Sequence, residues 1–183
     1  QRMSPWLEGR DLAGEIIGEA HRQDIKAIPM IDLGQLPAHA AEDHPEWCAI
    51  DRDGNRYVAA EDHFRSCTMG GYVAEYSREM VREIIERYPV DGMKFGGASY
   101  GFMGNICYCE SCARSFHDEY RHEIPQTRDW TDPVWKNFIQ WRMDKVVQRV
   151  ESLVSMVHEF KPGLPVMGNS VCFGNPGWTM RAS

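Results

Sequence analysis

The chain has 183 residues, enough for one domain with its own hydrophobic core and too few for two large ones. Apolar residues make up 43% and charged residues 26%, and the net charge is −7 with basic residues scattered among acidic ones. Nucleic-acid binding requires clustered Lys and Arg, so no DNA or RNA partner is expected. No apolar run approaches the ~18 residues of a membrane span and no segment reads as a signal peptide, which together predict a cytoplasmic protein without a membrane partner.

The first half of the chain predicts one helix, one strand and a long loop. Residues 5–23 repeat apolar side chains at helical spacing, and 25–31 are short, apolar and rich in β-branched residues, which predicts a buried strand ending near Asp32. No long periodic element follows from 33 to 70, although 51–55 predicts a turn between two short extended pieces. A loop of this length in a compact domain is usually functional.

The second half alternates helices and strands. Asp132 and Pro133 are a helix start, an N-cap followed by proline at the first helical position. Three tryptophans, Trp130, Trp135 and Trp141, belong to or flank that helix and are expected in the core. The expected elements are helices over 72–88, 110–120 and 132–160 and strands over 90–95 and 164–167.

This order predicts the fold class α/β with a parallel sheet, because strands that alternate with long helices pair in parallel. The long insertions follow the carboxyl ends of strands, where barrel folds keep their chemistry. A complete eight-stranded barrel typically needs ~250 residues, whereas three strands are evident here. We therefore expect residues 1–183 to form a single partial (β/α) TIM-type barrel, either a fragment or a half-barrel that a homo-oligomer completes.

Cysteine spacing predicts a metal site. Of six cysteines, Cys107, Cys109 and Cys112 form a C-x-C-x2-C cluster, which favours zinc over a disulfide framework. Three sulfurs require a fourth ligand from elsewhere in the chain. Cys67 is the first choice, because it precedes the helix over 72–88 at the expected end of the sheet, and the alternatives are Cys48 and His117. A closed four-ligand site would hold structural zinc, whereas a catalytic zinc would leave one position open to water.

Polar side chains near the strand ends are candidates for chemistry and binding. Asp32 would project toward a barrel mouth, with an Asx turn as the alternative. Asp62 beside His63 suits acid–base work, unless the pair only holds its loop. We nominate two catalytic residues and four substrate-binding residues: Asp32 and Asp62, and Trp47, His63, Lys94 and Asn169. Trp47 suits stacking on a sugar and Asn169 suits a ligand hydroxyl, with loop packing and a plain turn as their alternatives. Alternation lets only one of Lys94 and Phe95 face inward, so Lys94 is a candidate if it points into the barrel, and its alternative is an outward position under a helix edge.

Several segments of the chain also occur in a known family: His44-Pro-Glu-Trp47, Cys67, Val90-Asp-Gly-Met-Lys-Phe95 and Cys107-Tyr-Cys-Glu-Ser-Cys112 with Phe116. Together they resemble glycosyl hydrolases related to bacterial β-galactosidases of glycoside hydrolase family 42 and to α-L-fucosidases. The resemblance implies a (β/α)8 barrel that acts on or binds carbohydrate. The zinc-carrying β-galactosidases have a similar cysteine loop and one more cysteine about forty positions upstream. Here the separation is 107 − 67 = 40, which supports Cys67 as the fourth ligand.

One departure from that family concerns catalysis. In the related enzymes the strand before the cysteine loop ends in a catalytic carboxylate, whereas this chain has Gly96 and Gly97 there. If the barrel is active, it would cleave a glycosidic bond with paired carboxylates. The alternatives are a non-catalytic sugar-binding or scaffold barrel, which the two glycines favour, and a zinc-dependent hydrolase.

Overall fold

Two three-stranded sheets organise the part of the chain that the computed structural model describes, residues 9–97 and 107–168. The strands in chain order are β1 Met30–Asp32, β2 Gln35–Pro37, β3 Val58–Ala60, β4 His63–Arg65, β5 Met93–Gly96 and β6 Val166–Gly168. The α-helices are α1 Leu12–Arg22, α2 Ala38–Asp43, α3 Ser77–Arg87, α4 Glu110–Tyr120 and α5 Pro133–Phe160, with a 3-10 turn at Pro45–Trp47 and a π-helical turn at Tyr72–Tyr76. None of the described helices is long and apolar enough to cross a bilayer.

The first sheet is parallel, as the alternation of elements predicts, with strand order β1-β5-β6. Lys94 stands in its middle strand, opposite Met30 on one side and Met167 on the other. Strand β1 starts at Met30, later than the predicted residue 25. The preceding residue, Pro29, has no N–H to donate and contributes only its carbonyl, which accepts from the Lys94 N–H at 2.9 Å.

Within residues 9–97 and 107–168, helices cover one face of the parallel sheet and leave the other without a helix. Ile31, Met93 and Phe95 pack there against Val81 of α3 and Val157 of α5, in one core of buried side chains. On the opposite face, Met30 is 53% exposed and Met167 is 44% exposed. Since side chains alternate along a strand, Lys94 shares that open face.

A second core lies beside the first and is dominated by aromatic rings. Phe116 of α4 stands edge-on to Phe138 and Trp141 of α5, with ring centroids 5.2 and 5.6 Å apart. Cys67, Cys107 and Cys112 belong to the same buried cluster. Helix α5 thus enters both cores, with its first half in the aromatic core and its second half against the parallel sheet.

The start of α5 confirms the sequence signal. The Asp132 carboxylate accepts a hydrogen bond from the Val134 N–H at 2.9 Å, and Pro133 occupies the first turn. Trp135 and Trp141 are buried as expected, at 2% and 1% exposure. The expectation is wrong for Trp130, which is 52% exposed because it lies in the turn before the helix, with its ring against that of Trp135.

The second sheet occupies the region in which the sequence shows no long periodic element. It is antiparallel, with order β2-β4-β3, and its three strands have three residues each. Strands this short carry no visible alternation. The predicted turn at 51–55 is present, because the Asp51 N–H donates to the Asn55 carbonyl and Ile50 bridges Arg56.

Candidate functional site

Four cysteines from two separate segments meet at the edge of the aromatic core. Cys67 lies two residues after the end of β4, and Cys107, Cys109 and Cys112 lie just before and in the first turn of α4. Their four sulfur atoms all lie within 4.8 Å of one another, and Cys67 Sγ is 3.5 Å from the sulfurs of both Cys109 and Cys112. The structure thus brings together the four residues that the sequence nominates as metal ligands.

Backbone hydrogen bonds orient two of these sulfurs. The Ile50 N–H donates to Cys107 Sγ at 3.4 Å, and the Met69 N–H donates to Cys67 Sγ at 3.4 Å. Donors of this kind fix ligand orientation in metal sites. Sequence reasoning did not single out either donor. Met69 could have been found from its position two residues after a ligating cysteine, whereas Ile50 is brought close only by the fold.

The crowding of four thiols shifts their acidity in opposite directions. Contacts with the sulfurs of Cys107 and Cys109, together with burial, raise the pKa of the Cys67 and Cys112 thiols. Hydrogen bonds from Cys107 and Cys112 lower the pKa of the Cys109 thiol. Four thiolates therefore cannot form together at this site unless a cation neutralises them.

The donor set fits a closed tetrahedral metal site. Zinc–sulfur bonds of ~2.3 Å in tetrahedral geometry place ligand sulfurs roughly 3.8 Å apart, close to the spacing seen here. The other two candidate ligands are not members of the cluster. Cys48 is buried in the core of the parallel sheet, and His117 is exposed on α4.

At the carboxyl end of the parallel sheet, Asp32 closes a turn. Its Oδ1 accepts from the Gly34 N–H at 2.8 Å, and its Oδ2 lies 3.4 Å from the Gln35 side-chain amide. This is the Asx turn that the sequence offers as the alternative to a catalytic role. The carboxylate remains only half-buried, so the turn does not remove it from solvent.

Gly34 and Gly97 make a backbone contact beside Asp32. A Cβ atom on Gly97 would lie 2.2 Å from the Gly34 nitrogen, and the Gly97 φ of +68° is unfavourable for other residues. Position 97 therefore has no room for a side chain. Opposite Asp32 in the register stands Gly96, so the neighbouring strand end presents no carboxylate.

Asp32 and Asp62 lie near opposite ends of strand β2, Asp32 beside Gln35 and Asp62 beside Ala38. Asp62 is exposed in the β3–β4 turn, and its carbonyl accepts from the Ala38 N–H at 2.8 Å. Gln35, which contacts Asp32, is three extended residues away from Ala38, or about 10 Å. His63 is half-buried in β4, opposite Pro37. Because the two carboxylates are this far apart, the geometry does not support their acting as a catalytic pair, and their catalytic roles stay predictions.

Lys94 lies on the open face of the parallel sheet, opposite Met30, which is two residues before Asp32 in β1. It is half-buried, and its ammonium has no ion-pair partner within the described residues. The sequence could not decide which of Lys94 and Phe95 faces the helices, and the structure assigns that position to Phe95. Asn169, the remaining strand-end candidate, lies outside the described residues.

Trp47 packs between the Cys67 loop and the π-helical turn. His44 stacks on its ring at 3.8 Å, and Tyr72 and Tyr76 lie 5.8 and 5.7 Å away. Its carbonyl accepts from the Cys67 N–H at 2.7 Å. With His44 over one ring face and two tyrosines nearby, a sugar could stack on Trp47 only after His44 moves.

Comparison with known proteins places these features in a family. The sequence profile described as Hypothetical glycosyl hydrolase 6 matches residues 2–95, just over half of the chain. The chain belongs to this family of hypothetical glycosyl hydrolases. The matched region includes β1, the small antiparallel sheet, Cys67 and most of β5, and it ends one residue before Gly96.

The curated proteins that this chain resembles are bacterial. β-Galactosidase GalA of Bacillus licheniformis is 24% identical over 142 residues, which cover 74% of this chain and 20% of the relative. β-Galactosidase LacZ of Lactobacillus acidophilus is 23% identical over 116 residues, covering 61% of this chain and 17% of the relative. The chain thus spans a fifth or less of the length of these relatives.

Solved structures show which known proteins share this fold. The β-galactosidase from the psychrophilic Marinomonas ef1 matches with a TM-score of 0.69 at 20% identity, over 90% of this chain and 29% of that one. α-L-Fucosidase isoenzyme 2 from Paenibacillus thiaminolyticus matches with a TM-score of 0.66 at 21% identity, over 87% of this chain and 23% of that one. These neighbours are TIM-barrel glycosidases, and this chain shares their mixed α/β arrangement.

Proposed function

We propose that this chain is part of a (β/α) barrel that binds carbohydrate and, if active, cleaves a glycosidic bond, with a structural zinc ion held by Cys67, Cys107, Cys109 and Cys112. The observation that carries the proposal is the position of the cysteine cluster directly beside a strand end that bears Asp32. Membership of a glycosyl hydrolase family and the fold of the solved neighbours support it.

One residue connects the cysteine cluster to the strand end. Ser66, which immediately precedes Cys67, donates its hydroxyl to the Leu33 carbonyl and its N–H to the Gly34 carbonyl at 3.4 Å. A metal ion on Cys67 would therefore hold the turn that positions the Asp32 carboxylate. The ion would supply a cross-link and no reaction step, since four sulfur ligands leave no position for water or substrate.

The metal assignment is tested by native mass spectrometry of the purified protein. We expect one zinc ion per chain, lost in Cys109→Ser and retained in Cys48→Ala, which removes a buried thiol outside the cluster. A wild-type chain that carries no metal after expression in zinc-supplemented medium would overturn the assignment. Activity lost on chelation without any loss of fold would instead favour a zinc-dependent hydrolase.

Catalysis is tested at Asp32. On a panel of aryl β-galactosides and α-L-fucosides, Asp32→Asn should lower kcat by at least about 100-fold if this carboxylate acts as general acid or base. Asp43→Asn, which changes an exposed carboxylate at the end of α2, should leave the rate unchanged. Equal turnover by wild type and Asp32→Asn would remove Asp32 from the reaction.

The contact between Gly34 and Gly97 favours a second candidate, a sugar-binding or scaffold barrel that does not catalyse. Without a side chain at position 97 or at Gly96, the strand end lacks the partner carboxylate that glycoside hydrolysis requires. Titration calorimetry with galactose and L-fucose oligosaccharides distinguishes the two candidates. Binding without turnover supports the second, and turnover of any glycoside excludes it.

The open face of the parallel sheet needs a cover, because Met30 and Met167 are apolar and exposed. We propose that further strands of the barrel provide it, supplied by a second copy of this chain. The native mass spectrum measures this as well, since a dimer of the same chain would support assembly. A monomer that remains folded would reject a half-barrel dimer.

A further inference from the structure

The most exposed aromatic ring near the aromatic core belongs to Trp130. Its side chain is 52% exposed, whereas Trp135, which it touches, is 2% exposed. The two rings are perpendicular, with centroids 6.3 Å apart and an interplanar angle of 87°. One side of Trp130 is thus anchored on a buried ring, and about half of the residue is left in water.

The backbone that carries Trp130 is held in a fixed turn. The Asp129 carboxylate accepts hydrogen bonds from the Thr131 N–H at 2.8 Å and from the Thr131 hydroxyl at 2.7 Å. The Asp132 N–H donates to the Asp129 carbonyl at 3.1 Å, and Asp132 then caps helix α5. A ring held in this way loses little conformational entropy when a ligand stacks on it.

The neighbours of Trp130 are polar. Arg128, Asp129 and Thr131 are all exposed, and the Arg128 guanidinium has no ion pair within the described residues. Asp129 uses only Oδ1 in the turn, which leaves Oδ2 open to a ligand hydroxyl. An aromatic face ringed by hydrogen-bonding groups suits a pyranose ring, which presents C–H groups on its face and hydroxyls around its rim. A protein-binding hot spot would instead lie in a well-packed pocket whose surrounding contacts exclude water.

This site lies toward the end of the molecule that carries Asp32. The Lys161 ammonium donates to the Val90 carbonyl at 2.9 Å, which places the carboxyl end of α5 at the amino end of β5. Helix α5 has 28 residues and is about 42 Å long, whereas β5 has 4 residues and spans about 13 Å. The amino end of α5, with Trp130 before it, therefore extends past the carboxyl ends of the strands.

We infer that Trp130 is a stacking platform for a neutral pyranose unit, with Asp129 and Arg128 as hydrogen-bonding partners, separate from the strand-end site. The inference rests on the proposed carbohydrate function and adds a second contact for the sugar chain. No group at this site takes part in the chemistry of the strand end. Its role is to hold another sugar unit, either of the saccharide that reaches the strand end or of a separate saccharide.

The test follows the indole N–H signals of the protein by 15N NMR during titration with galactotetraose, cellotetraose and xylotetraose. The Trp130 signal, identified by its absence in Trp130→Phe, should move with saturable dependence on at least one tetrasaccharide. Trp130→Ala should weaken binding of that tetrasaccharide about tenfold, a change of about 1.4 kcal/mol that one stacking contact can supply, and Trp130→Phe should retain most of the affinity.

Met143→Ala is the matched control, because Met143 is also a large exposed apolar residue, 59% exposed, on α5. It should leave the titration unchanged, and thermal unfolding should show that all three variants remain folded. If tetrasaccharides move other signals but not that of Trp130, the platform is rejected and the proposed carbohydrate function stands. If no saccharide moves any signal of the folded protein, both are rejected.

Discussion

Gly97 lies at the strand end where the resemblance to glycosidases leads us to expect a catalytic carboxylate. A Cβ there would lie 2.5 Å from the Gly34 Cα, in addition to its conflict with the Gly34 nitrogen. Gly163 is a matched control, because its φ of +77° is similar and a Cβ on it would meet no other atom within 4 Å. Gly163→Ala should cost about 1 kcal/mol and Gly97→Ala about 3 kcal/mol or more in urea unfolding. Equal losses would show that the close approach of Gly34 does not constrain this strand end.

Asp91 shows how one carboxylate secures the opposite end of the same strand. It accepts from the Ala27 N–H at 2.8 Å and from His21 Nε2 at 2.9 Å, and it pairs with Lys26 at 3.1 Å. These contacts lower the pKa of Asp91 well below its usual range, and the hydrogen bond from the Ala27 N–H has the largest effect. The position of this residue at the strand start predicts this structural role.

The low pKa of Asp91 makes its contribution to stability dependent on pH. The ionised form is favoured by folding, so the contribution is complete above the unfolded-state pKa of about 3.9 and is lost as pH falls through the lower folded-state value. Asp91→Asn should therefore lower the thermal midpoint at pH 7, and the difference from wild type should shrink below pH 4. A difference that is constant from pH 7 to pH 2 would contradict this account.

At the scale of elements, local signals predicted helices well and short strands poorly. Asp132 and Pro133 set the start of α5 through contacts within one turn, so sequence alone was sufficient. Strands β2, β3 and β4 are each three residues long, too short for alternation to be visible, and they form because they pair with one another.

The candidate site was also predicted only in part, and the part that was predicted rests on local sequence signals. The C-x-C-x2-C spacing is local, so the cysteine cluster could be predicted. Cys67 was chosen as the fourth ligand from its position before the helix over 72–88, and the resemblance to zinc-carrying β-galactosidases supports that choice. The approach of Gly34 to Gly97 depends on two strands that are distant in sequence, and no pattern in either segment reveals it. The exposure of Trp130 was missed because a tryptophan next to an amphipathic helix usually packs on it.

The cap of α5 gives a prediction at this scale. Asp132→Ala removes the acceptor for the Val134 N–H, and the free energy of unfolding should fall by about 1 kcal/mol. Asp144→Ala is the control, because this residue lies within the same helix and only contacts the Gln140 side chain. An equal loss in both variants, measured by urea unfolding, would indicate that the cap adds nothing beyond general helix charge.

For the whole molecule, the two cores should respond differently to removal of the proposed metal ion. If the four cysteines hold such an ion, chelation would remove a cross-link from the aromatic core, to which Cys67, Cys107 and Cys112 belong. The core of the parallel sheet contains no member of the cysteine cluster. We expect a chelator at neutral pH to abolish most of the near-ultraviolet circular dichroism of the buried tryptophans, while part of the far-ultraviolet signal remains. Simultaneous loss of both signals would show that the cores unfold as one unit.

Helix α5 belongs to both cores, so its backbone amides report on two cooperative units along one continuous element. In hydrogen–deuterium exchange, the amides near Trp135 and Trp141 open with the aromatic core, and those near Leu153 and Val157 open with the sheet. The exchange rate along this single helix should change in a step between Trp141 and Leu153. Removal of the proposed metal ion would raise the exchange rate only in the first half of the helix. The exchange profile of α5 would therefore show how far local unfolding spreads along it.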